Sequence, residues 1–350
     1  MSSHELNILQ CPSSKGFADK VFRRLKKRNK YANLIDADFV RFKNTEMKCV
    51  INNSIRGSDV FIFNDVANME NGSVNDNLVE LLTAIDSVNH ASAEEVNVVI
   101  PTFPYSRQHK KTKREGLTAA LWCHILENMR VKRVITLDIH SREIQNAFTH
   151  TTMENLHASY QLIKAMKDDG IKLKDLVVVA PDSGAIERNK FFASHLQVPL
   201  AMMYKERDYS KTSDSMVDNN IVNQKLLGNV NGNPVLICDD MIDTGSTIIK
   251  AAKFLKEQGA PAVYMAVSLP FFNGKAIDDF EWAHGEGAIT KVYGTNAVYN
   301  KRLQSMKWYK AADVSDLFAD TIWRISEKLA LSDLLETGYD IQQILHDKVD

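Results

Sequence analysis

Short runs of apolar, often β-branched residues recur along the chain, and this repetition constrains the fold more than any other feature. Several runs are apolar throughout, as expected for strands covered on both faces of a sheet. Segments with apolar residues at helical spacing separate them, such as residues 75–88 and 246–258. This alternation predicts parallel sheets with right-handed crossovers. The predicted strands are residues 59–63, 96–100, 133–138, 176–180, 201–204, 234–238 and 262–268.

The chain length predicts two domains, because 350 residues exceed what a single hydrophobic core usually holds. The strand and helix pattern divides into two α/β units that join near residues 150–159. A last helix, predicted at 314–331, is a candidate to pack back on the first unit. We therefore expect domains at 1–157 and 158–318, followed by a C-terminal helix and tail at 319–350.

Composition and charge exclude several classes of partner. The formal net charge is −1, so the protein has no overall positive charge that would attract nucleic acid or an anionic membrane. The basic segment 20–30 fits the solvated face of an amphipathic helix better than a nucleic-acid arm. No apolar run approaches a membrane span, the N-terminal residues lack a signal-peptide pattern, and the four cysteines form no CxxC pair. We expect a cytoplasmic protein without a nucleic-acid or membrane partner.

Residues 239–247 (DDMIDTGST) form the clearest chemical motif. They follow an apolar strand and precede a helix. A helix N-terminus offers unpaired N–H groups and partial positive charge, which suit a phosphate. Gly245 permits positive φ and close approach of the backbone, while Asp239 and Asp240 can accept hydrogen bonds from sugar hydroxyls. The motif therefore predicts a sugar-phosphate site, whereas a Thr-Gly-Ser turn alone would fit an ordinary capped helix.

Other polar residues also follow predicted strands, at 138–140, 181–184 and 205–207. Ligands of open α/β sheets gather at the carboxyl ends of the strands. Four such segments in one chain predict a shared cleft.

Eight ordered blocks resemble those of the ribose-phosphate pyrophosphokinases, also called phosphoribosyl pyrophosphate (PRPP) synthetases. The last block also resembles the PRPP loop of type I phosphoribosyltransferases, and no Walker A motif is present. The resemblance extends from about Phe42 to Leu331. Its blocks are residues 42–46 (FKNTE), 55–59 (IRGSD), 75–82 (NDNLVELL), 100–108 (IPTFPYSRQ), 133–140 (RVITLDIH), 181–184 (PDSG), 205–207 (KER) and 239–247.

The resemblance implies two tandem domains of the type I phosphoribosyltransferase kind, each a mainly parallel sheet flanked by helices. The first domain would serve ATP and the second ribose 5-phosphate. The implied reaction transfers the β,γ-diphosphate of ATP to the 1-hydroxyl of ribose 5-phosphate and releases AMP. It also implies Mg²⁺ as cofactor and a homo-oligomer built from dimers, up to a hexamer.

Site residues carry over from the family position by position. The implied metal ligands are His140 and Asp182, with Asp138 steadying the imidazole, and the implied catalytic pair is Lys205 and Arg207, followed by a polar lid at 208–215. The ATP residues would be Arg107 and Gln108, with Asn44, Thr45 and Glu46 contributed by a neighbouring subunit. The ribose 5-phosphate residues would be Arg207, Asp239, Asp240, Asp243, Thr244, Gly245, Ser246 and Thr247.

Each of these segments also has a purely structural interpretation. His140 could be a satisfied buried histidine, and Asp182 could close a tight turn. Residues 44–46 could form a polar turn, and residues 205–207 a solvated surface run. The family context favours the functional interpretation in each case.

This chain also departs from the family. His109, Lys110 and Lys111 stand where many relatives have aspartate and then a basic residue, and the loop at 112–117 is shorter and lacks a proline. Because that stretch borders an allosteric site in the family, regulation by phosphate or ADP stays open. Three alternatives also stay open: a larger acceptor such as ADP-ribose, a non-catalytic regulatory homologue, and a phosphoribosyltransferase.

Overall fold

Buried strands in the predicted alternation with helices form the framework of the protein. The computed structural model describes residues 5–207, 221–230, 232–336 and 338–346. The strands are β1 (Leu6–Gln10), β2 (Asn33–Leu34), β3 (Ala37–Arg41), β4 (Met47–Ile51), β5 (Asp59–Phe63), β6 (Glu95–Val99), β7 (Val131–Leu137), β8 (Thr152–Leu156), β9 (Val177–Ala180), β10 (Leu200–Arg207), β11 (Ile221–Leu227), β12 (Val235–Ile242), β13 (Val263–Pro270), β14 (Lys291–Thr295) and β15 (Tyr309–Ala312). The helices are α1 (Lys15–Arg28), α2 (Val74–His90), α3 (Thr118–Asn128), α4 (Ser159–Asp168), α5 (Ile186–Leu196), α6 (Ser246–Glu257), α7 (Ala276–Gly285), α8 (Ser315–Ser326), α9 (Ser332–Leu335) and α10 (Gly338–His346).

The chain divides into two compact units. The first comprises residues 1–158, 296–299 and 313–337, and the second comprises 159–295, 300–312 and 338–350. The predicted fold class, two tandem α/β domains with mainly parallel sheets, is confirmed. The functional domain limits at 157 and 318 stay a prediction. Within the described ranges, every helix falls short of the length and apolar character needed to cross a membrane.

A parallel sheet in the order β2-β1-β5-β6-β7-β8 forms the centre of the first unit. The middle strands are buried on both faces because helices cover them. Helix α2 begins with a capping box, in which the Asp76 N–H donates to Ser73 Oγ and the Ser73 N–H donates to Asp76 Oδ2. The hairpin β3–β4 is a separate two-stranded sheet that packs on α2.

Helix α8 returns to the first unit and packs on α1. Arg28 donates to both carboxylate oxygens of Asp316, each at 2.9 Å, and the Phe17 and Phe318 rings meet edge to face at 5.2 Å. The helix predicted at 314–331 ends earlier, at Ser326. It stops there because Lys328 adopts a left-handed φ of 57° and the Leu329 N–H turns back to the Arg324 carbonyl.

A larger sheet in the order β11-β10-β9-β12-β13-β14-β15 forms the second unit. All its pairs are parallel except β10–β11, which is antiparallel. The core of the second unit includes a cluster of aromatic rings from the segment after β13, from α7 and from the start of β15. They are Phe272, Phe280, Trp308 and Tyr309.

Asp169 joins the end of α4 to the sheet of the second unit. It accepts from Lys291 Nζ at 2.6 Å, Lys310 Nζ at 2.9 Å and Tyr293 Oη at 2.8 Å. Partial burial alone would raise the pKa of Asp169, but these three bonds outweigh it and hold the pKa well below its usual range. The folded state therefore favours the ionised carboxylate.

We predict that Asp169→Asn lowers the free energy of unfolding by about 2 kcal/mol at neutral pH, because it leaves two lysines poorly paired. A depressed folded-state pKa contributes stability above the unfolded pKa, about 4, and that contribution is lost as the pH falls. The difference from wild type should therefore shrink below pH 4. Urea unfolding across pH 3–8 measures this. The control is Asp168→Asn, whose exposed pair with Lys164 should contribute little, and an equal effect of both changes would contradict the prediction.

Candidate active site

The loop between β12 and α6 has the conformation expected of a phosphate site. Gly245 adopts a left-handed φ of 71° and caps α6, which begins at Ser246. The side chains of Thr244 and Ser246 are exposed, and that of Thr247 is half-buried. A Cβ on Gly245 would lie 2.3 Å from Cε2 of the buried Phe280 ring, so a side chain does not fit here. The turn thus presents a helix N-terminus and hydroxyl groups together, the arrangement that binds anions.

The segment after β13 holds this loop in place. The Phe272 N–H donates to the Ile242 carbonyl, and the Asn273 N–H donates to the Asp243 carbonyl, both at 3.0 Å. Asn273 Nδ2 also donates to Asp243 Oδ1 at 2.9 Å. Phe272 adopts a left-handed φ of 50° at this junction. Asn273 therefore orients Asp243, a role that the sequence pattern did not indicate.

The acidic pair lies within β12, where the strand approaches its carboxyl end. Asp239 is half-buried and Asp240 is buried. The Asp240 N–H donates to Asp239 Oδ1 at 2.8 Å. Burial raises the pKa of Asp239 well above its usual range, and the side-chain hydrogen bond and the charge of Asp240 raise it further, whereas the bond from the Asp240 N–H opposes this rise. A raised pKa favours a proton on one of these two adjacent carboxyl groups. The pair can therefore both donate hydrogen bonds to sugar hydroxyls and accept hydrogen bonds from them.

Asn189 of α5 supports the strand immediately before this pair. Its Oδ1 accepts from the Cys238 N–H at 2.9 Å, and its Nδ2 donates to the Cys238 carbonyl at 2.8 Å. The side chain is fully buried. Next to it, the positive charge of Arg188 acts on Asp239 and opposes the rise in its pKa. Neither residue is predicted from the sequence, because a polar residue in a helix gives no sign of which strand it contacts.

Asp182 lies beyond the end of β9, which is the neighbour of β12 in the sheet. It is exposed, and its Oδ1 accepts from the Ala185 N–H at 3.0 Å. The tight turn considered for this segment is therefore present. An exposed carboxylate has further lone pairs, so the turn leaves room for a ligand role.

Lys205 and Arg207 lie at the carboxyl end of β10, where their backbones pair with β11. Strand β10 is also next to β9. The lid predicted at 208–215 lies outside the described residues. The structure thus places Asp182, the end of β10 and the 239–247 loop on neighbouring strands of one sheet.

In the first unit, Arg107 and Gln108 are exposed on the loop that follows β6. The Gln108 N–H donates to the Tyr105 carbonyl at 2.8 Å, and Tyr105 adopts a left-handed φ of 54°. Tyr105 Oη donates to Asn75 Oδ1, and its ring stacks on Trp122. This loop is therefore anchored to α2 and α3.

His140 follows β7, the neighbour of β6, and its side chain is exposed. The buried histidine considered from the sequence is thus not what forms. Asp138 adopts a left-handed φ of 43°, and its carboxylate contacts His157 Nδ1 at 2.9 Å and accepts from the Ala158 N–H at 3.0 Å. Such backbone strain is frequent at functional sites. The predicted support of His140 by Asp138 stays a prediction.

The two loops of the first unit meet through a pair of histidines. The ring of His109 lies edge to face against that of His140, with centroids 5.5 Å apart. The structure therefore brings the Arg107–Gln108 segment and His140 to the same edge of the sheet.

Asn44, Thr45 and Glu46 lie elsewhere, at the exposed tip of the β3–β4 hairpin. Thr45 adopts a left-handed φ of 72°, and the Glu46 N–H donates to Asn44 Oδ1 at 3.3 Å. The polar turn considered from the sequence is therefore present. For these three residues to contact a nucleotide, the hairpin tip would have to reach a nucleotide site away from its own position.

Among the described residues, no group of three or more histidine, cysteine, aspartate or glutamate side chains is arranged to hold a metal ion. A metal at His140 or Asp182 would therefore need further ligands from outside the described residues, such as a substrate or water.

Known protein families account for most of the chain. Residues 6–129 match the family model described as the N-terminal domain of ribose phosphate pyrophosphokinase, and residues 150–284 match the phosphoribosyl transferase domain. A ribose-phosphate pyrophosphokinase 1 from Streptococcus pyogenes is 34% identical over 97% of this chain and 100% of the relative. The chain belongs to the ribose-phosphate pyrophosphokinase family.

Other members of this pyrophosphokinase family agree with that assignment. A ribose-phosphate pyrophosphokinase 2 from Enterococcus faecalis is 32% identical over 96% of this chain and 99% of the relative. The crystal structure of phosphoribosylpyrophosphate synthetase from Mycobacterium smegmatis matches with a TM-score of 0.79 and 26% identity, covering 93% of this chain and 99% of that one. The resemblance predicted from the eight sequence blocks is confirmed.

We predict that Gly245→Ala in this pyrophosphokinase chain weakens ribose 5-phosphate binding by at least about tenfold and lowers the free energy of unfolding by roughly 1–3 kcal/mol. The added methyl group would force the loop and the Phe280 ring apart. Calorimetric titration and urea unfolding measure the two effects. The matched control is Gly287→Ala, where φ is 72° but no heavy atom lies within 4 Å of the added Cβ. Equal effects of the two changes would rule out the steric explanation.

We also predict that Asn189→Ala costs roughly 2–3 kcal/mol of stability, because it leaves the Cys238 N–H and carbonyl without their side-chain partner. Chemical denaturation measures this loss. Lys190→Ala, an exposed change on the same helix, serves as control and should alter stability by less than about 0.5 kcal/mol. A silent Asn189→Ala would show that the bonds to β12 are dispensable.

Proposed function

We propose that this protein is a ribose-phosphate diphosphokinase, which transfers the β,γ-diphosphate of ATP to the 1-hydroxyl of ribose 5-phosphate. The products are 5-phosphoribosyl 1-diphosphate and AMP. The observation that carries the proposal is the phosphate loop at β12–α6, which lies in a chain whose residues 6–129 match the N-terminal domain of this enzyme family. A phosphoribosyltransferase would leave that first domain unexplained.

Ribose 5-phosphate is assigned to the second unit. Its phosphate would bind the N-terminus of α6 and the hydroxyl groups of Thr244, Ser246 and Thr247, with Gly245 allowing close approach. Asp239 and Asp240 would bind the ribose hydroxyls, while Asp243 shapes the loop and Arg207 offers positive charge. The helix N-terminus, the acidic pair and their buried support in Asn189 all favour this placement.

ATP is assigned to the first unit. Arg107 can hold a phosphate with two parallel bonds, and Gln108 can read an adenine edge. His140 would act near the phosphates. Asn44, Thr45 and Glu46 would contact the adenine of a neighbouring subunit, which suits their position on a hairpin tip. Because the hairpin tip would contact a neighbouring subunit, this assignment requires a homo-oligomer, which we propose is built from dimers.

Mg²⁺ is the proposed metal cofactor. It keeps several waters, so a single side chain can complete a site that substrate phosphates begin, with His140 serving the nucleotide in the first unit and Asp182 the sugar phosphate in the second. Both side chains are exposed at strand ends, and the described residues contain no complete metal cage. When bound, the ion would neutralise phosphate charge.

The chemistry requires the ribose 1-hydroxyl oxygen to form a bond to the β-phosphorus. The bond from that phosphorus to the oxygen shared with the α-phosphate breaks, AMP leaves, and the hydroxyl proton is released. Catalysis depends on positioning and on charge neutralisation. Lys205 and Arg207 would supply positive charge to the transferred group, and the 208–215 segment would exclude water.

Incubation of the purified chain with ATP, Mg²⁺ and ribose 5-phosphate tests the proposal directly. Formation of AMP and PRPP in equal amounts is expected. ADP-ribose in a parallel reaction tests the larger acceptor, and PRPP with free bases tests the phosphoribosyltransferase alternative. A folded protein that forms no AMP with ribose 5-phosphate, yet changes the activity of a second synthetase, would support a regulatory homologue instead.

We predict that Lys205→Ala lowers kcat by roughly a hundredfold or more, because a charge contact in the transition state is lost. The melting temperature should not change. Steady-state AMP release and thermal unfolding measure the two quantities, with Lys190→Ala as an exposed lysine control. A nearly normal kcat would remove Lys205 from the catalytic set.

The remaining assignments are also proposals. Residues 1–157 would form the ATP domain, residues 158–318 the ribose 5-phosphate domain, and residues 319–350 a C-terminal helix and tail. We place the protein in the cytoplasm, without a nucleic-acid or membrane partner.

A further inference from the structure

The turn that carries His140 begins with a strained residue. Asp138 directly follows β7 and adopts a left-handed φ of 43°. This conformation costs free energy for a residue with a Cβ, so it persists only where the surrounding contacts fix it. Because His140 lies two positions later, the direction in which the chain leaves Asp138 decides where the imidazole lies.

The end of β8 holds the backbone of this turn. Strands β7 and β8 are parallel neighbours, with Leu137 opposite Leu156. The Asp138 N–H donates to the Leu156 carbonyl at 2.8 Å, which continues the pairing past the end of β7. The Ile139 N–H donates to Asn155 Oδ1 at 2.9 Å. Two successive N–H groups of the turn are therefore bound to one strand end.

The Asp138 side chain makes the reverse connection. Its Oδ2 accepts from the Ala158 N–H at 3.0 Å, and its Oδ1 lies 2.9 Å from His157 Nδ1. An ionised carboxylate can only accept, so Nδ1 of His157 carries the proton and donates. Asp138 is buried, and both bonds are stronger there because little water competes for them. The backbone and the side chain of the turn are thus both tied to residues 155–158.

His157 is the contact in this network that depends on residue type. Any residue other than proline could supply the N–H of Ala158, whereas the donor to Asp138 Oδ1 is a side chain. The His157 side chain is 26% exposed, so packing covers it incompletely and the bond to Asp138 orients the ring. Loss of this bond would remove a side-chain donor from a buried carboxylate, which favours another conformation of the strained turn.

We propose that His157 is a positioning residue of the nucleotide site, which acts through Asp138 to hold residues 138–140 and so fixes where His140 lies. The inference rests on the proposed function, which assigns ATP and His140 to this edge of the first unit. It adds a residue that lies outside the eight sequence blocks. Because ribose 5-phosphate is assigned to the second unit, the loss of His157 should affect the nucleotide and spare the sugar phosphate.

Equilibrium binding to the full-length protein tests the proposal, with ATP plus Mg²⁺ in one titration and ribose 5-phosphate in another. Calorimetry gives each dissociation constant without turnover. His157→Leu removes the donor and keeps a similar side-chain volume, whereas His157→Asn retains an N–H donor close to the place of Nδ1. The exposed His124 on α3 gives the matched control His124→Leu.

His157→Leu should weaken ATP binding by at least about fivefold and change ribose 5-phosphate affinity by less than about twofold, because only the first unit loses support. His157→Asn should keep ATP affinity within about twofold of wild type, because the hydrogen bond is retained. His124→Leu should leave both affinities unchanged.

Unaltered ATP affinity in His157→Leu would overturn the proposal. Equal losses for the two ligands would also overturn it, because they would indicate a general loss of structure. Equal losses of ATP affinity in His157→Leu and His157→Asn would do the same, because they would show that the N–H donor is not what matters.

A measurement on the wild-type protein removes dependence on variant folding. With histidines labelled by ¹⁵N, nuclear magnetic resonance at about pH 8, above the usual histidine pKa, reports which ring nitrogens carry a proton. His157 should carry a proton on Nδ1, and an Nδ1 without a proton would overturn the proposal.

The outcome is separable from the enzyme assay. ATP binding that depends on His157, without formation of PRPP, would reject the proposed function alone. Formation of PRPP, with unaltered ATP affinity in His157→Leu, would reject this inference alone.

Discussion

Parallel pairing of buried strands puts the carboxyl ends of neighbouring strands at one edge of each sheet, and both candidate sites depend on it. In the second unit, β10, β9 and β12 are consecutive in the sheet, so the end of β10, Asp182 and the 239–247 loop share that edge. In the first unit, adjacent β6 and β7 do the same for His109 and His140. The hydrophobic burial that stabilises the strands thus also selects which polar residues become neighbours.

The polar residues at these edges are held by buried or backbone contacts from other elements. Asn189 satisfies both backbone groups of Cys238, which puts the acidic pair on a rigid strand. Asn273 and the backbone of Phe272 donate hydrogen bonds to Ile242 and Asp243, at the start of the candidate phosphate loop. Such contacts keep a binding loop in its productive conformation before the ligand arrives, which lowers the ordering cost of binding.

Strong periodic signals made helices α2 and α6 and seven of the described strands predictable, namely β5, β6, β7, β9, β10, β12 and β13. Helix α6 was predicted at 246–258 and observed at Ser246–Glu257, since Gly245 and an amphipathic pattern mark its start. Other elements gave weaker signals. The hairpin β3–β4 is half exposed and carries charged residues, so no apolar run marked it. Helix α8 ended early because a lysine took a left-handed conformation that its residue type does not announce.

The sequence by itself determined the α/β class, the family and the residue types at the strand ends, because hydrophobic periodicity and ordered motifs are local along the chain. It also indicated Gly245, whose conformational freedom is a property of the residue. Only the tertiary structure decided that Asn189 reaches β12, that Asn273 orients Asp243, and that His109 meets His140. These contacts join segments 30 or more positions apart. Their partners are chosen by strand order and helix packing, which depend on the whole core and not on any single segment.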